Sequence, residues 1–392
     1  MMISFDKAFQ IVVSQNYRTV SETIALENAV NRVLAHDVYS DMDMPPFNKS
    51  AVDGFACKMN DLAKPLHVIE TIAAGCPPQK VIDENQCSKI MTGAMIPDGA
   101  DCVIMVEDTE LLQKNHIRFL KDKTSSNICY TAEDVKAGSK VMLAGTLLQP
   151  EHIAVLASVG CHQPLVAVKP SVGIISTGDE LVEPNEMPSL SQIRNSNSWQ
   201  LMTQVKQMNA VANYYGIAKD TENATLNKIN EALQHNDVAL LTGGVSMGDF
   251  DLVPDMMTKA GIEILFRSIA IQPGKPTVFG RKGNKFCFGL PGNPVSSYVL
   301  FELLVKPLLY QMMGHNFKPL TCKMPFGKDY NRRRSDRLSV LPIILNPEGT
   351  VEPFDYHGSA HIHSLTFARG FAFIPLGQTT VRKGEMIDVR FL

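Results

Sequence analysis

The chain has 392 residues, and its 37 Lys and Arg nearly balance 40 Asp and Glu, so nothing in its charge singles out nucleic acid as a partner. Apolar residues make up 45% of it, enough to fill the cores of roughly two to four domains, yet no apolar stretch approaches the ~20 residues of a membrane span. Its eight cysteines are scattered with no C-x-x-C pair, which argues against a zinc site and suits reduced thiols in a cytoplasm.

The opening "MMISFDKAFQIVV" sets Asp6 and Lys7 within an apolar rhythm behind Ser4, and so predicts a capped amphipathic helix, not a signal peptide. Apolar spacing through Ala29, Val30, Val33 and Leu34 extends the helical expectation over residues 1–40. From Met44 to Gly145, short runs such as "LHVIETIAAG", "CSKIMTGA" and "DCVIMVEDT" are broken by Pro and Gly and predict a small β-rich module. Residues 151–159, "EHIAVLASV", predict a helix ending at Gly160. A helical linker domain is therefore expected at residues 1–43 with 141–170, and a β-rich insert domain at residues 44–140.

From residue 171 the texture alternates. "SVGIIST", "VANYYGIAKD", "DVALLTGG", "PTVFG" and "KFCFGLPG" read as strands. "SNSWQLMTQVKQM", "TENATLNKINEALQH", "DLVPDMMTKAG" and the long "NPVSSYVLFELLVKPLLYQMMG" read as helices. The alternation predicts a doubly wound, mostly parallel sheet with right-handed crossovers over residues 171–315. Residues 316–392 lose helical periodicity and carry "RLSVLPIIL", "GFAFIPL" and "MIDVRFL", so an all-β, barrel-like domain closes an α/β multidomain chain. The run Arg332-Arg333-Arg334, followed by Asp336, reads as a solvated loop.

Parallel sheets bind ligands where strands end and loops lead into helices. Three loops fall there: "STGDEL" at 176–181, "TGGVSMGDFD" at 242–251 and "GLPGNP" at 289–294. Glycine lets the backbone approach a ligand closely, and free N–H groups at a helix start favour anions. Gly243, Gly244 and Ser246 are thus candidates to cradle a phosphate, while Pro291 and Pro294 stiffen a turn around Gly292 and Asn293. Each loop alone is most often a turn; the shared position at the sheet end is what raises the three together.

Acids follow the same rule. Asp179, Glu180, Asp220, Asp249 and Asp251 lie at predicted strand ends. Carboxylates beside a phosphate repel it unless a divalent cation stands between, and Mg²⁺ uses one or two carboxylates plus phosphate oxygens. Glu180 and Asp251 are expected near that metal with Asp220 in support, and Asp249 as an exposed loop acid. Lys275 in "QPGKP" can point a cation at an oxyanion or be ordinary surface charge. Asp53 in "NKSAVDGFA" and Thr92 in "MTGA" read only as polar loop residues, and His357, His361 and His363 lack an evident fourth ligand for a metal.

Taken in order, "NKSAVDGFA", "IMTGA", "STGDEL", "TGGVSMGDFD", "QPGKP" and "GLPGNPVS" resemble the motifs of the molybdopterin molybdenumtransferases, the MoeA-type enzymes and gephyrin-type E domains, across essentially the whole chain. The resemblance implies insertion of molybdenum from molybdate, a co-substrate, into adenylylated molybdopterin, with release of AMP and assistance from Mg²⁺. It implies a cytoplasmic homodimer that also contacts the molybdopterin adenylyltransferase. It casts Asp53, Glu180, Asp220 and Asp251 as the catalytic acids, and Asp53 and Thr92 as insert-domain residues that reach the site across the dimer. Gly243, Gly244 and Ser246 become the phosphate loop, and Lys275, Pro291, Asn293, Pro294, Ser296 and Ser359 the surroundings of molybdate.

The chain departs from the family where many members carry "R-R-x-G-E-D" and it has Cys129, Tyr130, Thr131, Ala132, Glu133 and Asp134, and where a basic residue is replaced by Gln272. Against the enzyme stands a carrier that holds molybdenum cofactor without turnover. The altered 129–132 stretch favours the carrier; retention of Asp53, Glu180 and Asp251 favours the enzyme.

Overall fold

A computed structural model of the chain describes residues 2–245, 252–354 and 358–392. Ser246, Asp249, Asp251 and His357 lie outside the described residues. The chain divides into two compact units, one of residues 1–35, 145–149 and 165–392, the other of residues 36–144 and 150–164. Among the described residues no helix is long and apolar enough to cross a membrane.

The N-terminal helix α1 (Phe5–Val13) forms behind Ser4, whose side chain accepts from the Lys7 N–H, and it buries Ala8 and Val12. The helix expected to continue to residue 40 does not. Leu26–Asn28 make one 3₁₀ turn, Asn31 takes a left-handed φ of 61°, and Val33 and Leu34 bridge to Leu147 and Val166. Their burial follows from extended pairing, which β-branched valines suit better than a helix does.

In the smaller unit a six-stranded sheet runs Cys102–Met105, Gly54–Cys57, Gln86–Ile90, Leu66–Ile72, His116–Phe119, Thr109–Leu112. One of its cores gathers Cys57, Cys87 and Cys102 with Leu66, Ile104 and Ile117, and burial pushes the Cys87 thiol up to about 12. These cysteines therefore act as small apolar residues.

The larger unit carries the doubly wound sheet. Its elements are β1 (Ser171–Thr177), α2 (Asn197–Gln207), β2 (Val211–Ala218), α3 (Glu222–His235), β3 (Val238–Thr242), α4 (Val253–Lys259), β4 (Glu263–Phe266), β5 (Val278–Lys282), β6 (Lys285–Leu290) and α5 (Pro294–Leu300). The order is β2-β1-β3-β6-β5-β4, parallel from β2 to β6 and antiparallel beyond it. Alternation sends Val172, Ile174, Val238 and Leu240 to one core and Ile175, Ala239 and Leu241 to the other. Phe279 on β5 and Phe288 on β6 are directly paired, fully buried, and pack as tilted rings with centroids 4.5 Å apart.

Thr221 caps α3 by accepting from the Ala224 N–H. The long predicted helix is regular over Pro294–Leu300, widens to a π turn at Phe301–Val305 and resumes over Lys306–Met312. Pro307 is the physical cause, since it has no N–H to give and crowds the carbonyl one turn earlier.

The closing sheet runs Ile271–Gln272, Leu338–Leu345, Gly370–Ile374, Met386–Phe391, Thr321–Pro325 around a core that includes Phe326, Leu341, Ile343 and Val389. Its first strand comes from the "QPGKP" loop and pairs in parallel, Ile271 against Leu338. The arginine run is not simply solvated: Arg332 donates to the Gln378, Arg337 and Pro375 carbonyls at 2.6–2.8 Å and so ties this domain's loops.

Candidate active site

Three parallel strand ends meet at one cleft of about 450 Å³, lined by Thr177, Gly178, Glu180, Asp220, Gly243, Gly244, Pro291 and Asn293 among others. Strands β1, β3 and β6 are consecutive neighbours, so their trailing loops emerge side by side. Gly243 and Gly244 take φ of 97° and 60°, a left-handed succession that any side chain resists. Bulk is excluded as well: a Cβ on Gly243 would stand 2.5 Å from the Thr177 carbonyl oxygen.

The loops are clipped together by a residue that pattern reading missed. Asn197, the first residue of α2, is 9% exposed; its Nδ2 donates to Thr242 Oγ1 and to the Gly292 carbonyl, both at 2.8 Å. Thr242 Oγ1 in turn donates to the Pro291 carbonyl at 3.3 Å. Asn197→Ala leaves two buried oxygens short of a donor, so a loss of about 1–3 kcal/mol is expected in chemical denaturation. An unchanged midpoint and slope would show that the clip carries no weight.

Behind the cleft, Ser176 donates to Asn195 Oδ1 at 2.9 Å and shares a 2.6 Å hydrogen bond with Ser198, while Asn195 Nδ2 donates to the Tyr214 hydroxyl, which donates to Glu183. Burial, then Glu183, drives the Tyr214 phenol above its usual range, so it stays a neutral donor.

On the acidic rim, Glu180 and Asp220 line the cleft together. Asp220 is fixed by reciprocal bonds: the Asp179 N–H donates to its carboxylate and its N–H to the Asp179 carboxylate, both at 3.3 Å. The Glu180 carboxylate folds over Gly178, where a Cβ would meet it at 2.5 Å. Among the described residues no three His, Cys, Asp or Glu are grouped to hold a metal, and Asp251, the expected second ligand, is not among them. Mg²⁺ needs no protein cage: one or two carboxylates plus substrate phosphate oxygens suffice. Two carboxylates beside a glycine loop fit that requirement.

A second pocket, about 550 Å³, shares Pro276, Pro291 and Asn293 with the first and adds Lys275, Ser296, Arg337 and Ser359. Pro294 opens α5, and its missing N–H costs nothing at that position. Asn293 Nδ2 donates to Ser359 Oγ at 3.0 Å and the Val295 N–H to the Ser359 carbonyl at 3.1 Å, which brings the C-terminal "GSA" turn to the start of α5. The Lys275 carbonyl is held by the Ile269 and Thr277 N–H groups. Among the described residues no carboxylate pairs with the Lys275 ammonium, in contrast to Arg337, 3.6 Å from Asp336. Arg337 was not expected here; the pairing of Ile271 with Leu338 is what sets it beside the "QPGKP" loop.

Asp53 and Thr92 belong to the smaller unit and are brought together there. Both the N–H and the hydroxyl of Thr92 donate to Asp53 Oδ1, at 2.6 and 2.9 Å. The backbone bond first, then the hydroxyl, hold the Asp53 carboxyl below its ordinary 3.8. A depressed carboxyl contributes stability above its unfolded value and loses it as pH falls through the folded one. Thr92→Val removes the lesser bond, so the Asp53 pKa should rise part of the way towards 3.8, followed by carboxyl-carbon NMR titration. An identical titration in the variant would contradict the assignment.

Fold and site together define the class: a multidomain α/β protein with a glycine-lined, acid-rimmed cleft at the carboxyl ends of a doubly wound sheet. Residues 3–160 match the family model described as MoeA N-terminal region (domain I and II), 173–311 the one described as "Probable molybdopterin binding domain", and 328–392 MoeA C-terminal region (domain IV). A Staphylococcus epidermidis relative named molybdopterin molybdenumtransferase is 34% identical over 99% of this chain and 95% of its own. A Bacillus subtilis relative of the same name is 33% identical over 99% and 93%. The solved structure of a molybdopterin biosynthesis moeA protein from Pyrococcus horikoshii covers 100% of both chains with a TM-score of 0.87 at 29% identity. The chain belongs to the MoeA family of molybdopterin molybdenumtransferases.

Proposed function

We propose that this protein inserts molybdenum from molybdate into adenylylated molybdopterin and releases AMP. The observation that carries the reading is the pair of adjoining pockets, one glycine-lined with two carboxylates, the other with Lys275 and Arg337, joined at Pro291 and Asn293. The first suits a phosphoanhydride: backbone at Gly243 and Gly244 approaches its oxygens without side-chain obstruction, and Glu180 and Asp220 orient the attacking water. Water oxygen bonds to phosphorus as a rim carboxylate takes its proton, the bridging P–O bond breaks with its electron pair leaving on the departing phosphate, the proton passes on to that phosphate or to solvent, and AMP and the molybdopterin phosphate separate. Glu180 and Asp220, with Asp251 a further candidate, would hold Mg²⁺, which would supply charge neutralisation on the phosphate oxygens.

The second pocket suits a small tetrahedral dianion, taken as substrate. Lys275 and Arg337 supply charge, Ser296, Ser359 and Asn293 neutral donors, and Pro291 and Pro294 a stiff wall. A cytoplasmic homodimer, with Asp53 and Thr92 serving the partner subunit, and contact with the adenylyltransferase complete the reading; sedimentation of the purified chain tests the dimer.

Purified protein with Mg²⁺, molybdate and adenylylated molybdopterin should release AMP, and omission of molybdate should stop it. Intact substrate under full conditions would end the enzymatic reading. Tight cofactor binding without AMP release would return the carrier.

A further inference from the structure

Three hydroxyls stand at the carboxyl ends of β1 and β3, and two of them are satisfied. Ser176 is bonded to Asn195 and Ser198, and Thr242 to Asn197 and Pro291. Thr177 is 4% exposed, lines the glycine cleft, and its buried Oγ1 has no hydrogen-bond partner among the described residues. A buried hydroxyl left unpaired is costly, and a native fold that keeps one calls for an explanation. No steric need explains it, since valine has the same shape.

The glycines indicate what the hydroxyl faces. A Cβ on Gly243 or Gly244 would stand 2.8 or 2.9 Å from Thr177 Oγ1. Any side chain at either position would be pressed against the hydroxyl, so only glycine lets the loop pass directly over it. At Gly244 the next nearest atom is a methyl of Val253, at 3.1 Å, so the backbone there is closely packed against Thr177 and Val253.

We infer that Thr177 is a substrate-binding residue whose hydroxyl donates to a phosphate oxygen of the adenylyl group seated on the Gly243–Gly244 loop. The inference rests on the proposed reaction and extends it by naming the donor. The unpaired hydroxyl of the free protein gains its partner when ligand binds, so the cost of leaving it unpaired is recovered as affinity.

The test uses the full chain with Mg²⁺, AMP and adenosine as calorimetric probes, and Thr177→Val and Thr177→Ser. Thr177→Val should weaken AMP binding about 10- to 100-fold, the range for a hydrogen bond to a charged group, and leave adenosine unchanged. Thr177→Ser should bind AMP nearly as the wild type does, and Thr177→Val should melt no lower than wild type, because no protein contact of the hydroxyl is lost. Equal AMP affinity in wild type and Thr177→Val overturns the assignment while leaving the proposed reaction standing. So does a lowered melting temperature with AMP affinity retained, which would make the hydroxyl structural. A wild-type protein that binds no AMP removes the reaction itself, and the inference with it.

Discussion

Glu180→Gln should lower the rate of AMP release by about 10²–10⁴-fold at saturating Mg²⁺, the range lost with a positioned acid–base group. Shape is conserved in this change and one negative charge is removed. The carboxylate lies over Gly178, shares the cleft with Asp220, and has no hydrogen-bond or ion-pair partner among the described residues. Thermal stability should therefore stay near wild type, while the Mg²⁺ concentration needed for half-maximal rate rises. A rate within threefold of wild type would remove Glu180 from the chemistry and leave Asp220 and Asp251 as the acids to test.

The second large effect belongs to the cations of the adjoining pocket. Lys275→Ala and Arg337→Ala should each weaken the dependence on molybdate by about 10- to 100-fold, as expected for loss of one charge-assisted hydrogen bond worth roughly 1.5–3 kcal/mol. Arg337→Lys should recover little, since a lysine cannot reproduce the planar fork. Arg337 already has Asp336 at 3.6 Å, and its buried Nε has no hydrogen-bond partner among the described residues, so part of its charge is offset and part of its donor capacity is open. Lys275 lacks such a carboxylate among the described residues and should show the larger loss. Molybdate dependence unchanged in both variants would place the oxyanion elsewhere.

Gln272 and the 129–134 stretch bear on how this member of the family differs. Ala132 keeps a φ of 61°, the left-handed conformation for which the glycine of the common family pattern is suited. The turn is held by the Ala132 N–H to the Pro45 carbonyl at 3.0 Å and the Tyr130 N–H to Glu133 at 2.8 Å.

Much of the architecture was readable along the chain. Strand runs such as "SVGIIST" and helical runs such as "TENATLNKINEALQH" carry their period in adjacent residues, and the glycine pair at 243–244 announces a backbone that only glycine adopts easily. These are local preferences, so local sequence contains them. Residues 14–40 misled because Ala29, Val33 and Leu34 are buried in either conformation; spacing reports burial, and the partner strand chose between helix and extended chain.

The make-up of the site was a different matter. Asn197 reaches oxygens 45 and 95 residues away, and Arg337 arrives beside Lys275 through one parallel pairing of Ile271 with Leu338. No periodicity or turn chemistry encodes such meetings. They depend on strand order and register, where a slip of one residue would turn the side chains to the opposite face. Residue types and turns were thus settled along the chain, whereas the choice of which hydroxyls, amides and cations share a cavity was made when distant strands paired.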